Sequence, residues 1–232
     1  MEIIDLSMSI RNGEHYNVNT SIIPLVQHGD VRDRFDPPCE GFAANLMVMS
    51  DHNGTHIDAQ NHFIRGGESV DQIPAGRMIG PAVVCDVSNA EGDEIDAEDV
   101  IDGLRRIEHD VQEGETILLK THGPDTAGKG ISRSAAEYLV SLRVGAVGTD
   151  NSGIDNTTNR SRPGHMILLT ANVVIVENLV NLAQLIDRRF LFIALPLSIQ
   201  GGTGSPVRAV ALYPYVDAPW LTLSDIDGTP VS

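Results

Sequence analysis

Three imidazoles and a carboxylate fall within the eleven residues His52-Asn53-Gly54-Thr55-His56-Ile57-Asp58-Ala59-Gln60-Asn61-His62, in a chain with only eight histidines. Neutral imidazole nitrogen and carboxylate oxygen are natural donors to Zn²⁺ and Mn²⁺. The first chemistry to consider is therefore a divalent-metal site. On a helix His52 and His56 share a face, but Asp58 points away from them. On a strand the even-numbered His52, His56, Asp58 and His62 all lie on one face. Gly54 and Thr55 argue against an unbroken strand: Gly54 marks a bulge or a close backbone approach. Thr55 has a hydroxyl that can orient a ligand through a hydrogen bond.

The rest of the chain must position this segment. Short apolar runs read as strands at Ile3–Ser9, Phe42–Ser50, Pro81–Val87, Thr116–Thr121, Ala146–Thr149, Val173–Val176, Leu191–Leu195 and Val207–Leu212. Ala97–Glu108 reads as a helix, with acids early and Arg105 and Arg106 late, as the helix dipole favours. Ser132–Leu142 reads as a second helix with Ser132 as N-cap. His165–Leu169 opens a further apolar stretch. Strands alternating with a few helices predict an α/β fold, one domain with a mixed sheet spanning residues 1–232. The polar stretch 11–41, with the pair Pro37-Pro38, reads as a long loop or oligomer-contact excursion.

Composition removes several classes. A formal net charge of −16 repels a phosphate backbone and an anionic bilayer, so neither nucleic acid nor membrane is an expected partner. Cys39 and Cys85 form no CxxC and read as two buried thiols of a reducing compartment. The N-terminal residues lack the pattern of a signal peptide, and no apolar run approaches the ~18 residues of a membrane span. The expectation is a cytoplasmic protein acting on a small molecule.

The His-rich segment resembles the HxGTHxDxPxH signature of the cyclase-like metal hydrolases, with Gln60 where that pattern has Pro. The resemblance extends along the chain. Ile3-Ile4-Asp5-Leu6-Ser7 is similar to that family's first strand, and Gly148-Thr149-Asp150-Asn151-Ser152-Gly153-Ile154-Asp155 to its central GxDxxSxD segment. His165 and Glu177 match a distant His and Glu, and Leu195-Pro196 with Gly204-Ser205-Pro206-Val207-Arg208-Ala209 matches its C-terminal signature. This implies a swivelling β/β/α fold and one or two divalent ions, Zn or Mn. His52, His56 and Asp58 would hold one ion; Asp58, as a bridge, would join His165 and Glu177 around the other. His62 would be a general acid/base beside them, or else a further ligand. A homodimer or homotetramer is also implied.

The implied activity is hydrolysis of a small amide at a non-peptide C–N bond, as in kynurenine formamidases. A divalent ion lowers the pKa of its water towards ~7 and so supplies a nucleophile at neutral pH. Ring opening of an isatin-type lactam, or of a lactone, is the alternative. A metal-binding domain without turnover is the alternative from outside enzymology. It is disfavoured because a structural zinc site is closed and richer in Cys. Aromatic residues are 4% of the chain, with Tyr16, Phe35, Phe42 and Phe63 as candidate pocket residues. Asp150, Ser152 and Asp155 read as turn braces, with lining of the site as the alternative; Arg208 reads as an internal ion-pair partner, with a substrate anchor as the alternative; and Gly201, Gly202 and Gly204 read as a turn. His122 follows a buried strand and could reach the pocket, while His15, His28 and His109 read as surface residues.

Overall fold

The computed structural model describes residues 1–15, 18–122 and 129–216. The chain runs through β1 (Glu2–Asp5), β2 (Gly13–His15), β3 (Val18–Val26), the single-turn α1 (His28–Val31), β4 (Ala44–Val48), β5 (His56–Asp58), β6 (Ile79–Asp86), α2 (Ala97–Arg106), β7 (Thr116–Lys120), α3 (Arg133–Ser141), β8 (Ala146–Thr149), α4 (Pro163–Thr170), β9 (Val174–Glu177), β10 (Arg189–Ile193), β11 (Gly204–Pro206) and β12 (Val210–Tyr213). Nine strands form one sheet in the order β1-β12-β10-β6-β7-β8-β9-β5-β11. The neighbours β6, β7, β8 and β9 run parallel. The remaining pairs of this sheet are antiparallel.

The central strands are apolar at nearly every position because both of their faces are covered. Side chains alternate between faces along a strand. Val83, Cys85, Ile117, Leu119, Val147 and Ile175 therefore pack on one side, against Val100 and Leu104 of α2, Ala135 and Leu139 of α3 and Leu168 of α4. Their neighbours Ala82, Val84, Leu118, Ala146, Val174 and Val176 form a second core on the other side. That second core also takes Ile4 from β1, Phe190 and Phe192 from β10 and Ile57 from β5, strands from near opposite edges of the sheet. One core can collect both ends only if the sheet curls, and it does so as a half-barrel. Burying each such Leu or Phe contributes about 1.5–3 kcal/mol.

Capping sets the helix starts. The Asp96 N–H donates to Asp99 Oδ2 at 2.8 Å at the head of α2, and Ser132 Oγ accepts from the Ala135 amide at 3.4 Å at the head of α3. α4 starts on Pro163, whose fixed φ and missing N–H suit a first helical position. It is apolar all round, so residues 165–169 carry no helical period to read in advance.

One expectation changes. The segment 11–41 is not one loop, because it contributes β2 and β3. The predicted strand 42–50 is β4, which pairs with β3 in a separate three-stranded sheet, β2-β3-β4. Pro24 sits inside β3, and the register slips between Pro24 and Val26, which accommodates a residue that cannot donate to the ladder. Among the described residues no helix is long and apolar enough to cross a membrane.

Candidate metal centre

The segment 52–62 is neither a helix nor a continuous strand. His56 and Asp58 share a face of the short strand β5, two residues apart. Gly54, at φ +64°, turns the chain before β5 and brings His52 back over it. A 3₁₀ turn at Gln60–His62 returns His62 from the other side. Gln60, standing where the resembled signature has Pro, uses its side chain instead: its amide donates to the Leu169 carbonyl at 3.1 Å and accepts from the Glu68 amide at 3.0 Å.

Pairing of β5 with β9 supplies the distant carboxylate. The antiparallel register sets Glu177 directly opposite His56, so both side chains stand on the helix-covered face. On the other flank Gly204 of β11 lies opposite Asp58. A Cβ at Gly204 would fall 2.6 Å from His52 Cε1 and 2.5 Å from the Ile57 carbonyl oxygen. The glycine therefore leaves the space that the His52 ring occupies. Gly204→Ala is expected to destabilise the protein by about 1–3 kcal/mol through overpacking, which chemical denaturation will measure. Unchanged stability would mean that the ring can move aside freely.

His165 reaches the cluster from the first turn of α4. All six predicted residues therefore meet at one place. His52 Nδ1 lies 2.7 Å from Asp58 Oδ1. His56 Nε2 is 3.4 Å from the same oxygen and 3.5 Å from Glu177 Oε2. His165 Nε2 is 3.4 Å from Asp58 Oδ2 and 3.4 Å from Glu177 Oε1. The His62 ring lies 3.9 Å from that of His52, centroid to centroid, and 5.7 Å from that of His165. Each carboxylate thus straddles the cluster, one oxygen towards His56 and the other towards His165.

These separations test whether a metal fits. A charge-assisted N–H···O bond spans about 2.7–2.9 Å, whereas two donors ~2.1 Å from a shared tetrahedral ion stand about 3.4 Å apart. Four of the five distances match the second value. Asp58 Oδ2 is buried without a hydrogen-bond donor, a costly state for a carboxylate oxygen. Donor atoms of His52, His56 and Asp58 lie within 4.8 Å of one another, as do those of Asp58, His62 and His165. The donor set fits a divalent cation.

Charge tells the same story. Burial disfavours a charged His56, but Asp58 and Glu177 outweigh it and raise its pKa to about 9. Burial also opposes charging of His165, and Asp155, Asp58 and Glu177 raise it to about 12. Asp58 is held well below the ordinary range: burial opposes this, and His165, His52 and His56 overcome it. His62 differs. Burial, reinforced by the surrounding imidazoles against the pull of Asp58, lowers it to about 4.

A stability trend follows for the metal-free protein. A histidine whose folded pKa is raised stabilises the fold fully below its unfolded pKa of 6.5, and that contribution is lost as pH rises through the folded value. The metal-free Tm is therefore expected to fall by several degrees between pH 6.5 and 9. Metal-loaded protein is expected to show the opposite drift over this window, since ligands must be deprotonated to bind. Thermal melts with and without a chelator check both signs.

The hydrogen bonds behind the cluster include residues without an assigned role in the sequence. His52 Nε2 meets Thr203 Oγ1 at 2.9 Å, and that hydroxyl donates to Asp51 Oδ2 at 2.8 Å. His56 Nδ1–H donates to the Gly54 carbonyl at 2.8 Å, which Asn178 Nδ2 also engages at 3.0 Å. Thr55 does not orient a ligand directly: its hydroxyl donates to the Asn178 carbonyl at 2.6 Å and ties the loop to the end of β9. Asp155 braces as expected, accepting from the Gly164 amide at 2.6 Å, but it also meets His165 Nδ1 at 2.5 Å. Asp51 and Thr203 are an acid and a hydroxyl in turn-like contexts, with no local signal to separate them from others.

Other candidates lie apart or behave differently. Of the aromatics, Phe63 stacks on His165 at 4.3 Å, while Phe35 and Phe42 pair with each other and are exposed. Tyr16 and the side chain of His15 lie outside the described residues. Asp150 accepts from the Thr121 amide and hydroxyl, as a brace, and burial raises its pKa. Arg208 grips Asp5 through two bonds of 2.9 and 2.6 Å. His28 and His122 are exposed. His109 is not a free surface residue: it meets the buried Glu115 at 2.8 Å. Both cysteines are free thiols, but only Cys85 is buried as expected; Cys39 is exposed.

The chain is similar to known proteins along most of its length. The Cyclase family, described as "Putative cyclase", matches residues 4–156, a stretch that holds His52, His56, Asp58 and His62. An isatin hydrolase of Roseibium aggregatum is 31% identical over 199 residues, covering 75% of this chain and 76% of that protein. A kynurenine formamidase of Salinibacter ruber is 36% identical over 173 residues, covering 71% and 77%. In structure, isatin hydrolase A from Labrenzia aggregata, bound to benzyl benzoate, superposes with a TM-score of 0.75 at 26% identity, covering 92% of this chain and 94% of that one. Sequence, fold and the clustered donors agree, and this chain belongs to the Cyclase family.

Proposed function

We propose that this protein is a metal-dependent hydrolase that cleaves a non-peptide C–N bond of a small amide. The observation that carries the reading is the cage around Asp58 and Glu177: four nitrogen–oxygen separations of 3.4–3.5 Å and an orphaned carboxylate oxygen. Similarity to kynurenine formamidases supports the choice of bond. His52, His56 and Asp58 would hold one Zn or Mn ion, with Asp58, His165 and Glu177 holding a second where two bind. A bound divalent ion supplies Lewis-acid polarisation of a carbonyl and acidifies a water molecule.

The chain's own residues do the rest. His62 is neutral at physiological pH, because burial and its imidazole neighbours lower its pKa to about 4. Its ring can accept a proton from an attacking water and return it to a leaving nitrogen. Phe63, flat against His165, offers an apolar surface beside the reacting groups. The 31% identity to an isatin hydrolase favours ring opening of a lactam as the second reading.

Elemental analysis joined to a screen of formamides, cyclic imides, lactams and lactones tests this. Bound divalent metal with turnover of open-chain amides is the expected result. Turnover restricted to cyclic substrates would select the second reading. Tight metal with no turnover would leave a metal-binding domain.

The working form is proposed to be a homodimer or homotetramer. β3 and β4 pair Ile23 with Leu46 and Ile22 with Met47, so this small sheet is apolar on both faces. Ile23, Leu25, Leu46, Met47 and Val48 are all exposed, and so broad an apolar surface suits association. Light scattering is expected to give at least twice the monomer mass; a monomer at micromolar concentration contradicts the proposal.

A further inference from the structure

An imidazole can offer a metal either ring nitrogen, and the partner of the other nitrogen decides which. The three histidines of this cluster are held by three different acceptors. The Gly54 carbonyl takes Nδ1–H of His56, leaving Nε2 towards Asp58 and Glu177. Thr203, whose own proton goes to Asp51, takes Nε2–H of His52 and leaves Nδ1 inward. Asp155 faces Nδ1 of His165 at 2.5 Å and leaves Nε2 facing Asp58 and Glu177. Of the three acceptors only Asp155 is a carboxylate in direct contact with its ring.

We propose that Asp155 is a positioning residue that commits His165 to present Nε2 to a divalent ion, and so controls the Asp58–His165–Glu177 half of the centre. The inference rests on the metal-centre reading above. Asp155 is well placed for the task. It is buried, and its two oxygens also accept the amides of Gly164 at 2.6 Å and His165 at 3.2 Å, which anchors the start of α4. Ring orientation and helix position are thus set by one side chain. A Cβ on Gly164 would come 2.8 Å from Asp155 Oδ1, so the close approach depends on that glycine. The neighbouring Ile154 amide donates to Glu177 Oε1 at 2.7 Å, so the loop that carries Asp155 also orients the carboxylate of the same half. As an acceptor, the Asp155 carboxylate pairs with a protonated Nδ1; an amide in its place lacks the negative charge that fixes that proton and can present a donor to the ring instead.

The test uses Asp155→Asn, which keeps the shape and an oxygen for the Gly164 amide, with His165→Ala and the double variant. Zn²⁺ affinity and stoichiometry are measured by competition with a chelator. The wild type is expected to bind Zn²⁺, and D155N to bind the His165-dependent equivalent about 10–100-fold more weakly. The double variant is expected to bind no more weakly than H165A, because the ring that Asp155 positions is already gone. Wild-type affinity in D155N, or a loss that adds in full to that of H165A, overturns the proposal. No Zn²⁺ binding by the wild type overturns the metal-centre reading itself. Should D155N fail to fold, long-range ¹⁵N–¹H correlation on Zn²⁺-loaded wild type decides instead: His165 with its proton on Nδ1 supports the proposal, and a proton on Nε2 overturns it.

Discussion

Asp58→Asn is expected to strip the protein of divalent metal and to lower turnover by at least about 10³-fold, the scale of removing Lewis-acid and nucleophile chemistry together. Asp58 faces three imidazoles: His52 and His56 through Oδ1, and His165 through Oδ2. Its replacement takes one negative charge from a buried cage and puts an amide donor where a bare acceptor stood. The amide nitrogen then confronts ring nitrogens that are needed as donors to an ion. The fold has little reason to fail, because Asn has the same shape and Ile57 keeps β5 anchored in the core. Metal content and kcat, measured on the same purified sample, decide the matter. A D58N protein with a full metal complement and more than a tenth of wild-type turnover would remove Asp58 from the centre of the reading.

His62→Ala is expected to behave differently: kcat falls by about 10²–10⁴-fold, the usual contribution of a positioned acid/base, while metal content stays at the wild-type level. His62 and Asp58 share the cage but not the electrostatics. The carboxylates raise His56 to about 9 and His165 to about 12, yet His62 is lowered to about 4. His62 is thus the imidazole of the cluster that the carboxylates do not charge, and H62A separates a proton-transfer role from a ligand role. The rival outcome has a geometric basis, since a His62 nitrogen lies within 4.8 Å of donor atoms on both Asp58 and His165. Loss of one metal equivalent in H62A would make His62 a ligand. Added imidazole is expected to restore part of the activity of H62A if a proton acceptor is all that is missing.

Much of the site was legible because its first part is local. His52, His56, Asp58 and His62 are dense enough to suggest a metal on residue type alone, and parity placed His56 and Asp58 on one strand face. The route of the chain was not legible in the same way. Parity alone puts all four residues on one strand face, but Gly54 and the 3₁₀ turn at 60–62 fold the ends back, so only the middle of the segment is strand. The apolar strands and the helices α2 and α3 were visible from runs and caps, since apolar pattern and capping act between near neighbours. α4 was not, because a helix that is apolar all round has no polar face to give it a period.

What the amino-acid order determined by itself is therefore the chemistry on offer: a tight cluster of imidazole and carboxylate donors, and the alternating pattern that builds a two-sided sheet. Resemblance to a family added His165 and Glu177, which local pattern could not. The tertiary structure alone decided their geometry. The register of β5 against β9 puts Glu177 opposite His56 across more than a hundred residues of chain, and pairing with β11 puts the side-chain-free Gly204 where the His52 ring must lie. The same long-range pairings bring Thr203 behind His52, and the start of α4 brings Asp155 behind His165. Strand register is set by which faces are buried over the whole sheet, so no local stretch of sequence specifies which acceptor stands behind which imidazole.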